Sequence, residues 1–201
     1  MTYIKKVLER FNMSKAHPKK TSMVVRSLDE DKDPFRPRNK DEKVLEPKVP
    51  YLSAIGALMY LANCTSPDIA FTVNLLTWYS AAPTRRHWVG VKIILRYLQG
   101  TIDFGLLFPK NHDLTMVGYA DAGYRSDPHN AKSRTGFVFL CGGTAISWRS
   151  CKQTLVTTST NHSEIIALYE AARECVWLRW MISHIQKPCG LNTMPHNYIW
   201  R

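Results

Sequence analysis

Cysteine is sparse in this 201-residue chain. Its five residues (Cys64, Cys141, Cys151, Cys175 and Cys189) form no Cys-x-x-C pair and are odd in number. That pattern argues against a disulfide framework or a thiolate zinc site, and for reduced thiols in an intracellular protein of cytoplasm or nucleus. Long apolar runs are missing as well. None approaches the ~20 residues that span a bilayer, and the N-terminus has no signal-peptide core, so no membrane partner is expected. Negative charge is in short supply: 16 Asp and Glu stand against 27 Lys and Arg, giving a formal net charge of +11 and a pI near 9.6. A polyanionic partner, nucleic acid, fits that balance. Residues 1–110 hold 18 basic and 10 acidic residues, the remainder 9 and 6, and no acid follows Glu174.

The stretch from Tyr3 to Phe11 reads as a short amphipathic helix within a first segment, 1–13. Residues 14–50 are rich in charge and proline and read as a charged linker, with Asp29 to Asp33 a solvated acid run. Three helices are expected over 51–110. In the first, Leu52, Ile55, Met59 and Ala62 mark the inner face. The second opens at Ser66-Pro67-Asp68, with serine as cap and proline at the first position, and is apolar nearly all round to Tyr79. The third opens at Pro83-Thr84, turns Trp88, Val91, Leu95 and Leu98 inward and ends at Gly100. Short connections make these a small helical bundle. Phe104 to Phe108 reads as a strand.

Beyond residue 111 the period changes. Leu114 to Asp121 is an apolar run ending in a carboxylate. Arg134–Cys141 and Thr144–Arg149 read as strands joined by Gly142-Gly143, a strong hairpin signal. From Asn161 an apolar stripe runs through Leu168, Ala171, Ala172, Cys175, Leu178, Ile182 and Ile185, with Glu164 at its N-terminal end. Trp148, Trp177 and Trp180 fall on elements that must pack. The fold class is therefore α+β: a helical bundle, then a three-stranded antiparallel sheet with one long helix.

Two acids on packed elements with no Lys or Arg close in sequence suggest a divalent cation, because a carboxylate stripped of water needs a replacement partner. Each acid also has a simpler reading. Asp121 before Ala122-Gly123 is ordinary turn chemistry, and Glu164 fits the third helical position of a capping box with Asn161 as cap. Arg85, Arg86, Lys92 and Arg96 on the third helix make a basic side facing either solvent or a phosphate backbone. Lys152 and Gln153, after the third strand, are further candidates for a nucleic-acid backbone.

The motifs Gly118-Tyr-Ala-Asp-Ala-Gly-Tyr124, Lys132-Ser-Arg-Thr-Gly136, Gly142-Gly-Thr-Ala-Ile-Ser-Trp148, Lys152-Gln153, Ser159-Thr-Asn-His-Ser-Glu-Ile-Ile-Ala-Leu168 and Glu174-Cys-Val-Trp-Leu-Arg179 resemble the ribonuclease H domain of Ty1/copia-type retrotransposon polyproteins. The resemblance reaches back to Met1 as the tail of the same polyprotein's reverse transcriptase. It implies a thumb- or connection-like helical region over 51–110 and a ribonuclease H-like domain over 111–201. It also implies metal-dependent hydrolysis of the RNA strand of an RNA–DNA hybrid, with Asp121 and Glu164 as catalytic acids and Mg²⁺ ligands. The basic helix would then meet a template–primer.

Two family features are missing from the sequence. No Tyr-x-Asp-Asp polymerase motif occurs, and the expected third acid, on a fourth strand, has no counterpart after Glu174. The expectation is a truncated domain, with Tyr198–Trp200 the stub of the fourth strand, an open edge on the first, and an inactive site. The alternative is a non-catalytic, basic nucleic-acid-binding remnant.

Overall fold

The computed structural model describes all residues except 1, 25, 28, 30, 40, 109–114, 187–198 and 201. It divides into two compact units, Met1–Gly105 and Leu106–Arg201.

In the first unit, α1 (Tyr3–Arg10), α2 (Tyr51–Cys64), α3 (Ala70–Thr77) and α4 (Arg85–Gly100) surround one core. Helix α2 packs through Tyr51, Ala54, Ile55, Ala57, Leu58, Leu61 and Ala62. Its inner face is therefore turned from the expected one: Ile55 and Ala62 are inside, but Leu52 and Met59 are exposed. With nearly every position apolar, the period carries little information, and the small Ala54 and Ala57 mark where neighbours come close. The expected second helix begins as a 3-10 turn, Pro67–Ile69, and ends at Thr77; Ser66 makes no side-chain cap bond. Tyr51 ties α2 to α3 by donating its hydroxyl to the Leu76 carbonyl at 2.8 Å, and burial pushes that phenol's pKa up.

Helix α4 opens with a capping box in which His87 takes the place usual for Glu or Gln. The Thr84 backbone N–H donates to His87 Nδ1 at 3.0 Å, and the ring's other nitrogen reaches the Arg36 carbonyl at 3.1 Å. A neutral ring protonated on Nε2 satisfies both bonds. Val91, Ile94, Leu95 and Leu98 are buried. Gly90 lets the Phe35 ring lie on the helix, since a Cβ there would fall 2.6 Å from Phe35 Cε1.

Residues 14–50 differ from the linker expected of them. Their described part forms no helix or named strand, yet Phe35 is 2% exposed and Asp33 fully buried. Asp33 accepts from Arg26 Nε at 3.0 Å and Nη2 at 2.7 Å and from the Phe35 N–H at 2.9 Å, so the acid run is only partly solvated. Val44 bridges to Thr84, and Glu42 pairs with Arg86. The segment is a strap over the bundle. Composition hides this, because a few anchors among many solvated charges suffice to hold it.

In the second unit, β1 (Met116–Asp127), β2 (Lys132–Cys141) and β3 (Thr144–Lys152) form an antiparallel meander, followed by α5 (Thr160–Gln186) and the short β4 (Ile199–Trp200). The strand order is β3-β2-β1-β4, with β4 parallel to β1 at Val117 and Gly118. The edge expected to be bare is thus partly covered. Tyr198 lies outside the described residues, as does Leu114. Gly142 and Gly143 hold φ of 57° and 80°, the two left-handed positions of a tight hairpin. Phe104 to Phe108 forms no strand, and Phe104, Leu107 and Phe108 are exposed.

The core of this unit is Met116, Phe137, Phe139, Ala171, Cys175 and Leu178, with Ala120, Ile146, Met181 and Ile182 at its margin. Helix α5 is buried along Ser163, Ala167, Ala171, Cys175 and Leu178. Leu168 and Ile185, expected inside, are exposed, as are Trp177 and Trp180. In a helix apolar on both sides, hydrophobicity alone does not say which side meets the sheet. Here the small residues do.

Candidate functional site

Asp121 lies within β1, opposite Gly136 on β2, and the strand continues six residues past it. The turn reading therefore fails, and so does the expectation of a strand end. Ala120 packs on the core beneath α5 and Ala122 is buried; alternation turns the exposed Asp121 to the opposite face.

Glu164 sits in the first turns of α5 and is half-buried. The cap of this helix is Ser159, whose Oγ accepts the His162 N–H at 3.2 Å. Asn161 is already helical, so the capping-box reading of Glu164 is lost. The pairing of β4 ends at Gly118, so beside Asp121 the β1 edge carries no strand partner among the described residues. Among the described residues no group of three or more His, Cys, Asp or Glu is arranged to hold a metal ion. Hard divalent cations take six or more oxygens, most of them from carboxylates, carbonyls and water. Two carboxylates alone do not make that donor set.

The first turn of α5 is held by side chains that sequence reasoning assigned to another task or passed over. Gln153 is 1% exposed, too deep to reach a nucleic-acid backbone. Its Nε2 donates to Thr135 Oγ1 at 3.1 Å and to the Ser163 carbonyl at 2.9 Å, and its own N–H donates to the Ser133 carbonyl. Ser133 Oγ meets Thr157 Oγ1 at 2.7 Å, with all of these hydroxyl residues buried. Further along, Ser147 Oγ donates to Glu174 at 2.6 Å and the Cys151 thiol to Glu170 at 3.5 Å, tying β3 to α5. Burial pushes the Cys151 thiol pKa up.

Lys152 donates to Asp127 at 3.1 Å, where Asn130 Nδ2 also donates at 2.8 Å. Burial acts to raise the Asp127 pKa, but these donors together with the His129 N–H hold it below the ordinary value.

The basic residues of α4 separate into two groups. Arg86 is engaged by Glu42 and donates to the Pro37 carbonyl at 3.0 Å, and Arg96 donates to the His17 carbonyl at 2.6 Å. Arg85 and Lys92 are exposed on one side of the helix, with the Lys92 ammonium 5.8 Å from the Trp88 ring centre. The four described cysteines are free thiols, and no helix among the described residues is long and apolar enough to cross a membrane.

No protein-family model and no solved structure matches the chain. Curated relatives do. The Pol polyprotein of transposon TNT 1-94 from Nicotiana tabacum is 42% identical over 91% of this chain. That of transposon RE2 from Arabidopsis thaliana is 32% identical over the same share. The chain spans only 14% and 12% of those two proteins. A secreted RxLR effector protein of Plasmopara viticola is 44% identical over 65% of this chain, which covers 92% of it. Coverage of nearly the whole chain at these identities places it: the chain belongs to the Ty1/copia-type retrotransposon Pol polyproteins.

Proposed function

We propose that this chain is a segment of the reverse transcriptase–ribonuclease H part of a Pol polyprotein. Its second unit carries two of the acids that cut the RNA strand of an RNA–DNA hybrid, and its first unit contacts the template–primer. One observation carries the reading: an antiparallel β1-β2-β3 meander continues through α5 into β4, parallel beside β1, with Asp121 on β1 and Glu164 at the start of α5. That order is the one the resemblance implies for a ribonuclease H-like domain.

In the whole polyprotein, Asp121 and Glu164 would hold Mg²⁺, which supplies charge neutralisation and an activated water for in-line phosphodiester hydrolysis. The remaining ligands would come from outside the described residues. Arg85 and Lys92 would bind phosphate without regard to sequence, so binding would weaken steeply with salt.

The 201-residue polypeptide as such is expected to bind a hybrid and leave it intact. It contains no acid after Glu174 to complete the site. The test incubates it with a labelled RNA–DNA hybrid and Mg²⁺ or Mn²⁺, beside Asp121→Asn. Salt-sensitive binding with no cleavage in either protein is the expected result. Cleavage that disappears in Asp121→Asn would show a complete site and overturn the claim of inactivity. Absence of binding would overturn the reading of the basic face. The second reading, a non-catalytic nucleic-acid-binding remnant, rests on the two-carboxylate donor set; it predicts that supplying the missing polyprotein segments restores no activity.

A further inference from the structure

Among the described residues, three other than glycine hold a positive φ: Asn12 at 55°, Arg125 at 46° and Ala131 at 48°. Asn12 sits in the turn that ends α1 and Ala131 in the turn between β1 and β2, where such angles are ordinary. Arg125 lies inside a strand. For a long side chain the left-handed region is unfavourable, and glycine is the residue that fits it.

The neighbours of Arg125 hold it there. Pairing of β1 with β2 breaks off after Gly123–Arg134 and resumes at Asp127–Lys132, so Tyr124, Arg125 and Ser126 stand opposite Ser133 alone. The Arg125 N–H donates to Ser133 Oγ at 3.1 Å, and that hydroxyl meets Thr157 in the buried cluster that holds the first turn of α5. Tyr124 donates its hydroxyl to the Thr158 carbonyl at 3.3 Å, one residue before the Ser159 cap. The bulge is thus pinned on two sides. Bulges of this kind re-aim side chains, and strained residues gather at functional sites.

What this bulge presents is a cation. Tyr119, Asp121, Gly123 and Arg125 are the exposed positions of β1. The Arg125 guanidinium lies over the Tyr124 ring, 5.3 Å from its centre, and Tyr124 in turn reaches the loop that leads to Glu164. Asp127, the next acid along the strand, is buried and taken up by Lys152 and Asn130. No ion pair joins Arg125 to another described residue. A planar, exposed guanidinium is the side chain best suited to bidentate contact with phosphate. The strand from Asp121 to Arg125 spans at most about 13 Å, within reach of a single hybrid lying over both.

We infer that Arg125 is a positioning residue: it grips a backbone phosphate of the RNA–DNA hybrid a few nucleotides from Asp121 and so sets the register of the substrate strand over the candidate site. This rests on the functional reading above and adds to it a contact from the second unit, separate from Arg85 and Lys92.

The test titrates the full chain with a labelled RNA–DNA hybrid from about 50 to 200 mM salt, without divalent cation. Arg125→Gly removes the guanidinium and relieves the backbone. It should bind several-fold more weakly and lower the log–log salt slope by about 1, with the urea midpoint no lower than that of the unaltered chain. Arg125→Lys keeps the charge and should keep the slope. Amide NMR of the unaltered chain should show hybrid-induced shifts at residues 121–127 and 158–164 that Arg125→Gly abolishes, while shifts on α4 persist. Full affinity and slope in Arg125→Gly, or a slope in Arg125→Lys as low as in Arg125→Gly, would overturn the proposal. A lower urea midpoint alongside weaker binding would overturn it too, because it marks a structural role. Shifts confined to α4 would overturn it and leave the reading of Arg85 and Lys92 standing. Shifts confined to the second unit would do the reverse, and no binding at all would overturn both.

Discussion

Gln153 donates its side-chain amide to the carbonyl of Ser163 at 2.9 Å, one residue before Glu164. The same amide nitrogen reaches Thr135 on β2, so a single buried side chain fastens the first turn of α5 to the middle of the sheet. A carboxylate on that turn is held by the clamp behind it, and one polar deletion should loosen it.

Gln153→Ala leaves the Thr135 hydroxyl and the Ser163 carbonyl buried without their donor. Such a loss costs about 1–3 kcal/mol. The expected outcome is a lower urea midpoint with faster amide exchange at residues 160–165, and unchanged exchange in α2 and α4. Uniform exchange changes across both units would argue against a local clamp.

Gly118→Ala tests the contact that seats Phe139. A Cβ at Gly118 would stand 2.6 Å from Phe139 Cε1 and 3.1 Å from Cδ1, and Phe139 is 1% exposed. The ring must leave its place or the strands must part, for a destabilisation of about 1–3 kcal/mol. Thermal unfolding of the second unit should shift down accordingly. An unchanged midpoint would mean that Phe139 moves without cost.

Asp127 gives the second unit an acid-side pH dependence. Its donors outweigh burial and set the folded pKa below the ordinary 3.8. The stabilisation is therefore fully present above that value and is lost as pH falls through the lower, folded one. Chemical denaturation below about pH 4 should show the loss, and Asp127→Asn should flatten it while lowering stability at neutral pH.

His87 gives the first unit a dependence in a different range. Burial is the main cause that lowers its pKa from 6.5; the Arg36 carbonyl opposes this and Arg86 adds to it. The folded state favours the neutral ring, so below 6.5 the unfolded chain takes up the proton first and stability declines with falling pH. Protonation at Nδ1 also removes the acceptor of the Thr84 N–H. His87→Gln, the usual capping-box residue, should keep the cap and abolish this dependence between pH 6.5 and 5, as read by denaturant midpoints.

Much of the architecture was legible in residue order. The paired glycines at 142 and 143 announced the hairpin through the φ values only glycine adopts freely, and Thr84 announced the start of α4. What stayed hidden was facing. Both α2 and α5 are apolar round most of their circumference, so a hydrophobic period was read onto Leu52, Met59 and Leu168, which are exposed. The buried faces combine large and small residues, Tyr51, Leu58 and Leu61 with Ala54 and Ala57 on α2, and Leu178 with Ala167 and Ala171 on α5. The two acids of the candidate site were chosen by motif and their simpler readings fell to Ser159 and to the length of β1. The polar cluster around Gln153 had no sequence signal: Ser, Thr and Gln on strands look solvent-facing until topology buries them.

The strap over residues 14–50 is anchored by bonds that join distant parts of the chain, Glu42 to Arg86 across 44 positions and His87 to Arg36 across 51. Closing such loops carries an entropic cost before any contact forms. The strap therefore settles only after α2, α3 and α4 have met. Until then the Phe35 seat above Gly90 stands empty and the bundle's apolar flank lies open. During synthesis the ribosome delivers the strap first and its landing site second, so for dozens of residues the nascent chain carries an unplaced Phe35. The length of that interval is set by how soon residue 90 emerges.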